Sequence, residues 1–297
     1  MEQMKVLVVI NPKSGSQTEA NIERLISEEA RKSAFEFKIH KIRQALEKVE
    51  ISRLIKEYKP NIVAAAGGDG TVNLLAQLLA NTNIAMLIIP TGSANGMAKE
   101  LGIGGRLENI IPLLTKGSVR DIDLLKINGI TCIHLADVGL NARIVKRFER
   151  DKKRGIATYA KHLLAEVFLI KQYRFYIKYD DTEIARKAVS LTFANASKYG
   201  TGAVINPTGQ PDDGIFELVI VKPFPRIKLL SIAWKMFIGN LENSEYVEVI
   251  RCTNAFIRTS KKTTLQIDGE VIGKVRQIKI EILKRAVKLI TPDNLPR

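Results

Sequence analysis

Along the N-terminal part of the chain, short apolar runs alternate with stretches whose apolar residues recur at helical spacing. Lys5–Ile10 (KVLVVI), Phe35–Ile42, Ile62–Ala66 and Ile84–Ile89 (IAMLII) are long enough for buried strands and too short for helices. Ile22, Leu25 and Ile26 mark a helix after the first run, and Val49–Tyr58 one after the second, ending before Pro60. Val72, Leu75, Ala76 and Leu79 mark a third, opening at Thr71. This alternation predicts a Rossmann-like parallel-sheet α/β domain over residues 1–122. From there the pattern changes. Ile122–Ile127, Thr131–Asp137, Phe175–Tyr179, Ala188–Asn195 and Ile215–Val221 are short, β-rich and separated by turns, as are Thr253–Arg258, Thr264–Ile267, Ile278–Leu283 and Val287–Ile290. They predict an antiparallel, sandwich-like second domain from residue 123 onward, interrupted by helices at Ile156–Lys171 and Pro225–Leu241.

The polar turns behind three of the strands carry the chemistry. After the third strand stands Gly67-Gly68-Asp69-Gly70-Thr71-Val72-Asn73. Glycines there allow positive φ and leave no Cβ to keep a ligand away. The helix that follows offers unbonded N–H groups and the positive end of its dipole, an anion site. Asp69 would repel a phosphate unless a cation stood between, so the turn points to a nucleotide phosphate with Mg²⁺. The alternative is an ordinary strand–helix turn with Asp69 as a cap. Asn11-Pro12-Lys13-Ser14-Gly15-Ser16 follows the first strand and lacks the Gly-Lys-Ser/Thr of a P-loop. Pro90-Thr91-Gly92-Ser93-Ala94-Asn95 follows the fourth. Three such turns at strand ends would line one edge of a parallel sheet, where open α/β folds bind ligands.

Composition narrows the partners. A chain of 297 residues with 45% hydrophobic and 26% charged residues can bury one large or two moderate cores. Its apolar runs are far short of a membrane span, and Met1–Lys5 shows no signal-peptide layout. Cys132 and Cys252 form no framework, which suits buried thiols in a reducing cytoplasm. His40, His134 and His162 lie far apart in sequence, which disfavours zinc. The net charge of +15 favours an anionic partner: phosphates, an acidic membrane surface or nucleic acid. No helix-turn-helix, finger or aromatic RNA-binding motif supports the last.

Taken together, NPKSG at 11–15, GGDGTVN at 67–73, PTGSAN at 90–95, DDG at 212–214 and DGE at 268–270 resemble, in order and spacing, the diacylglycerol kinase catalytic family. That family includes bacterial soluble lipid kinases, sphingosine kinases and ceramide kinases, and the resemblance covers essentially the whole chain. It implies two domains with ATP in the cleft between them, the last strand (284–297) returning to the first domain and the second domain spanning 123–283. It further implies that Asn11, Pro12, Lys13, Ser14, Gly15, then Gly67, Gly68, Asp69, Gly70, Thr71, Val72 and Asn73, and Ser93 and Asn95, bind ATP. Asp69 would act through Mg²⁺ or on the phosphates, Glu270 as the catalytic carboxylate, and Asp123 beside it. A carboxylate near the acceptor hydroxyl can take its proton. The bland readings are a turn residue in an Asp-Gly hairpin for Glu270 and a polar strand residue for Asp123. Asp213, with main-chain oxygens of Gln210 and Ile215, matches a loop that holds a structural Mg²⁺ in bacterial relatives; a metal-free Asp-Asp-Gly turn is the alternative.

The chain departs from the bacterial pattern. Ser93 and Asn95-Gly96 look more like the sphingosine kinase version, and Leu135-Ala136-Asp137-Val138-Gly139 resembles a stretch whose Asp contacts the lipid head group there. Asp137 would then bind a substrate hydroxyl or amine, or else cap a turn. Lys41-Ile42-Arg43 stands where the family has a Thr, which questions the adenine-side contacts. The expected function is ATP-dependent phosphorylation of a hydroxyl on a diacylglycerol-like or sphingoid lipid. A catalytically silent nucleotide- or lipid-binding regulator and an NAD kinase-like enzyme are the alternatives. The protein is expected in the cytoplasm, meeting its lipid peripherally at a membrane surface, with no nucleic acid and with a homodimer left open. Two stretches suit that surface: the basic cluster Lys146–Arg154, and Phe224–Leu241, apolar on more than one face. The latter either packs as core or presents Leu229, Ile232 and Met236 to lipid.

Overall fold

The computed structural model describes residues 3–14, 19–43, 47–140, 142, 171–199 and 203–293. Gly15, the basic cluster 146–154 and residues 156–170 of the expected helix lie outside the described residues. The chain forms two compact units, residues 1–122 with 285–297, and residues 123–284.

In the first unit, strand and helix alternate: β1 (Lys5–Ile10), α1 (Glu19–Ser33), β2 (Glu36–Lys41), α2 (Glu47–Tyr58), β3 (Ile62–Gly67), α3 (Asp69–Leu79) and β4 (Ala85–Pro90). Three short helices follow, α4 (Gly96–Glu100), α5 (Leu107–Ile110) and α6 (Leu113–Lys116). β1, β3 and β4 read as unbroken apolar runs because helices cover both faces of a parallel sheet. Val6 to Val9 and Val63 to Ala66 are fully buried. β2, at the edge, keeps Glu36, Lys38 and Lys41 in its run. The pairs β2·β1, β1·β3 and β3·β4 are all parallel. Residues Lys288 and Leu289 of the last strand add parallel to β4. The resulting order, 2-1-3-4, differs from the 3-2-1-4 of the dinucleotide-binding Rossmann sheet. Periodicity reports strand type and leaves order open, so the finer Rossmann expectation is not met in that respect. The order reverses between β1 and β3, where open α/β sheets bind ligands.

The second unit is built from β5 (Ser118–Ile127, entering from the first unit), β6 (Ile130–Cys132), β7 (Leu135–Gly139), β8 (Tyr173–Tyr179), β9 (Thr182–Ala188) and β10 (Ser190–Ala194). β11 (Phe216–Val221), α7 (Leu229–Phe237), β12 (Val247–Cys252), β13 (Asn254–Ile267) and β14 (Glu270–Thr291) complete it. Neighbours β12–β11–β10–β7–β13 are antiparallel, and β13 also pairs with β8 and β14. Phe175, Phe193, Phe216, Ile257 and Ile280 form the centre of its core. Burying each such side chain contributes about 1.5–3 kcal/mol.

Three expectations are corrected here. Thr131–Asp137 is two strands, because the N–H groups of Ile133, His134 and Leu135 turn to the Asp268 carboxylate instead of a neighbouring strand. Thr253–Arg258 and Thr264–Ile267 are one strand, β13, with a register shift between Arg258 and Thr263. Ile278–Leu283 and Val287–Ile290 are both parts of β14. β9 escaped notice because it is an edge strand (TEIARKA) whose outer positions are charged and which, among the described residues, pairs with β8 alone.

Candidate active site

Three loops meet at the carboxyl ends of β1, β3 and β4. The Asn11 side chain donates to the Thr71 hydroxyl at 3.1 Å, and the Asn11 N–H to the Ala66 carbonyl at 2.8 Å. The Ser14 hydroxyl donates to the Asn11 carbonyl at 2.8 Å and lies 3.2 Å from the Thr91 hydroxyl. Glycine is required at the crossing of the second and third loops. A Cβ on Gly92 would lie 2.5 Å from the Gly68 Cα, and one on Gly67 would meet the Thr71 side chain at 2.3 Å. Gly68 is the N-cap of α3 with no side chain capping it; its carbonyl takes the Thr71 and Val72 N–H groups, and the positive end of the helix dipole is left for an anion. Pro12, Lys13, Gly70 and Ser93 are exposed beside this turn's backbone, Val72 is buried beneath it, and Asn73 is half-buried on α3.

Asp69 has a structural duty. One carboxylate oxygen accepts the Gly96 N–H at 2.6 Å, and the amides of Asn95 and Met97 also bond the group. Burial raises its carboxyl above the usual range, and these N–H bonds, with Lys99, pull it back. Asp69 thus fastens the third loop to the second, rather than capping the helix it begins. Asn95 locks the third loop on itself: it sits at φ 51°, accepts the Gly92 N–H at 2.9 Å and donates to the Gly92 carbonyl at 2.7 Å.

In the second unit the DGE triplet forms a two-residue hairpin between β13 and β14, with Ile267 opposite Glu270. Asp268 and Gly269 have φ of 48° and 86°, the paired positive values of a type I′ turn that Asp-Gly favours. Glu270 is exposed, one residue past the turn. Asp268 is buried and accepts the N–H groups of Ile133, His134 and Leu135 and the Cys132 thiol. Burial raises its carboxyl to about 6, against the lowering effect of these donors. Asp137 is fully buried, accepts from the Gln266 side chain at 2.6 Å, and Gln266 in turn accepts the Gly269 N–H at 2.8 Å. Asp137 therefore holds the hairpin through Gln266. Sequence reasoning missed Asp268, Gln266 and Thr91. Asp268 and Thr91 carried a signal as letters of DGE and PTGSAN, and Gln266 carried none.

Asp123 is fully buried and grips the 210–215 loop twice. Its carboxylate accepts the Gly214 N–H at 2.7 Å, and its own N–H donates to the Pro211 carbonyl at 2.7 Å. Asp213 is exposed and accepts the Ile215 N–H at 3.1 Å, and Gln210 is exposed beside it. Burial raises the Asp213 carboxyl, the charges of Asp123 and Asp212 add to this, and the Ile215 N–H and Arg251 oppose it. A loop of oxygen donors whose carboxylates repel one another fits a hard divalent cation. Elsewhere, His40, Glu47 and Glu50 bring ligand atoms within 4.8 Å of one another, the only such group among the described residues. Glu47 there already contacts His40 at 2.9 Å and accepts the Arg43 N–H.

His134, beside Asp268, is buried, and burial lowers its imidazole to about 4, against a main-chain bond to Lys198 that raises it. An unfolded chain takes up this proton near pH 6.5, so the stability His134 contributes is present above 6.5 and is lost as pH falls toward 4. Asp268 works in the opposite sense: its contribution is present below the ordinary carboxylate range and is lost as pH rises through about 6. Comparing the chain with His134→Gln isolates the histidine. The substitution should become less harmful by about 2–3 kcal/mol between pH 7 and pH 4.5, read from urea unfolding.

Residues 5–127 match the model of the diacylglycerol kinase catalytic domain. Residues 135–291 match the YegS C-terminal NAD kinase beta sandwich-like domain. A "Probable lipid kinase YegS-like" of Pectobacterium atrosepticum is 28% identical over 298 residues, 96% of this chain and 95% of that one. "Probable lipid kinase YegS" of Escherichia fergusonii is 27% identical, over 87% of this chain and 88% of its own. A Synechocystis protein is 25% identical over 78% of this chain, which spans 55% of that protein's length. A solved structure of a diacylglycerol kinase from Bacillus anthracis str. Sterne covers all of both chains with a TM-score of 0.78 at 21% identity. A further structure from that organism does so with a TM-score of 0.82 at 22% identity. At such identities the structures speak for the fold.

Proposed function

The chain belongs to the diacylglycerol kinase catalytic family, and from that premise we propose that it transfers the γ-phosphate of ATP to a hydroxyl of a diacylglycerol-like or sphingoid lipid. The observation that carries the reading is the crossing of Gly68 and Gly92 over an uncapped helix N-terminus, tied by Asn11, Thr71, Ser14 and Thr91. It supports a phosphate cradle made of main chain. In this reading residues 1–122 with 284–297 bind the nucleotide and 123–283 bind the lipid. In the same reading the phosphates lie against Asn11–Gly15, Gly67–Asn73, Ser93 and Asn95, and the N-terminus of α3 holds the charge that develops during transfer.

Asp69 serves this site by fixing the third loop. Mg²⁺, when bound with the nucleotide, supplies charge neutralisation between the phosphates. Asp213, with the main-chain oxygens of Gln210 and Ile215, would hold a structural Mg²⁺ in a loop that Asp123 fixes through Gly214 and Pro211. Glu270 takes the proton of the lipid hydroxyl. The hydroxyl oxygen bonds to the γ-phosphorus as the bond to the β-phosphate oxygen breaks, and ADP leaves with that electron pair. A second reading gives the proton to Asp268, favoured by a carboxyl at about 6 in the same turn. Asp137 orients the acceptor directly or through Gln266. We place the protein in the cytoplasm, reaching its lipid from the membrane surface. Among the described residues no helix is long and apolar enough to cross a membrane.

Lipid-dependent ADP release tests the reading. The protein should release ADP from ATP only when a lipid acceptor is present, and NAD should not replace the lipid. Gly92→Ala should raise the KM for ATP about tenfold or more, since overpacking two apposed backbones costs about 1–3 kcal/mol. ADP release with NAD and not with lipid would overturn the proposal.

A further inference from the structure

The helix α7 and the turn before it present a face that the fold of the second unit leaves unused. Ile232 is buried, and Met236 packs beside it against Leu135, Val219 and Leu241. Two of the residues expected to meet lipid therefore face the core, and the Leu229 side chain lies outside the description. The opposite side is the unusual one. Ser231 and Trp234 stand three residues apart on α7, Ile227 precedes them in the 3-10 turn Arg226–Lys228, and Ile238 follows as the C-cap. Ile227 is 85% exposed, Trp234 66% and Ile238 52%. Large apolar side chains rarely stand together in water without a partner.

The surroundings of this stripe are basic and polar. Arg226, Lys228 and Lys235 flank it. A cavity of about 250 Å³ opens alongside, lined by Lys228, Ser231, Lys235, Asn243, Glu245 and Tyr246 among others. Lys235 gives one donor to the Asn243 carbonyl at 2.9 Å. The Glu245 carboxylate is engaged by the Tyr246 hydroxyl. The lining thus offers lysine and hydroxyl donors next to an apolar edge. That combination matches a membrane–water boundary, where tryptophan favours the interface, aliphatic side chains enter the acyl region and lysines meet anionic headgroups.

We propose that the Ile227–Trp234–Ile238 stripe docks on an anionic bilayer, with Lys228 and Lys235 seating a phospholipid headgroup in the adjoining cavity. A second copy of the chain is the poorer occupant. A two-fold contact places the same patch against itself and would bring the like charges of Arg226, Lys228 and Lys235 from two copies into one interface. The chain's net charge of +15 also opposes self-association and favours an anionic surface. The inference deepens the lipid-kinase reading and rests on it for its use to the protein, by holding the enzyme where its acceptor lies.

Trp234 is the only tryptophan of the chain, so its fluorescence reports this face alone. The full-length protein is titrated with phosphatidylglycerol vesicles, with phosphatidylcholine vesicles and with soluble glycerol phosphate. Emission should shift to shorter wavelength with phosphatidylglycerol vesicles, little with phosphatidylcholine and not with glycerol phosphate, and raised salt should weaken the shift. Ile227→Ser/Ile238→Ser and Lys228→Glu/Lys235→Glu should each lose the shift while keeping the circular dichroism and melting curve of the unaltered protein. No shift with any vesicle overturns the proposal. So does a shift with glycerol phosphate alone, or a concentration-dependent shift without lipid that sedimentation traces to a dimer. Turnover of a short-chain, monomerically dispersed lipid by the unaltered protein is read separately. Its absence would sink the kinase reading and leave the docking result standing.

Discussion

Glu270→Gln should lower lipid-dependent turnover about 10²- to 10⁴-fold, the range typical of losing a positioned general base. Glu270 is exposed and follows a turn closed by Asp268 and Gly269, so its replacement leaves the hairpin's supports in place. The melting temperature should be unchanged and the KM for ATP little altered, because the loss falls on the transition state. Steady-state kinetics with lipid micelles reads both parameters. Near-normal turnover in Glu270→Gln would remove the residue from the mechanism. If Asp268→Asn then lost the rate while remaining folded, the proton would go to Asp268.

Asp268→Ala should be the most destabilising of the substitutions considered. Four donors end on this carboxylate, three main-chain N–H groups and the Cys132 thiol, all in the interior. Each buried donor left without an acceptor costs about 1–3 kcal/mol, so the loss should be roughly 4 kcal/mol or more, a large share of a domain's stability. An alanine at φ 48° adds about 1–2 kcal/mol of left-handed strain. Asp268→Asn tolerates that backbone and keeps one acceptor oxygen, so it should lose clearly less. Urea unfolding of the pair decides. If Asp268→Ala unfolds within 1 kcal/mol of the unaltered chain, the anchor assigned to this carboxylate is wrong.

How legible this was in the sequence depended on where each side chain's partner lay. β1, β3 and β4 were readable because a strand covered on both faces is apolar throughout. The glycines of the second and third loops were readable as places of close approach, but their contact with each other was not. Gly68 meets Gly92 only after a crossover through α3 and β4. Asp69 looked like a group for a cation, and its amide partners at Asn95–Met97 are far along the chain. For the same reason Asp268 was passed over in favour of Glu270. Its donors at 132–135 come from a segment read as continuous strand. For α7 the helix was visible and its orientation was not. A helix apolar on two faces does not say which face meets the core, and the cluster of Leu135, Val219 and Leu241 settled that for Ile232.

The central claim is phosphate transfer to a lipid, and the most direct measurement follows the phosphate itself. The purified protein is incubated with γ-labelled ATP, Mg²⁺ and micelles carrying diacylglycerol, monoacylglycerol, sphingosine, ceramide or phosphatidylglycerol, and the lipid phase is extracted. The account predicts label in the lipid phase with a hydroxyl-bearing acceptor from this panel, and none without the protein. Label that stays in ATP or inorganic phosphate with every lipid, from protein that binds ATP, would contradict it.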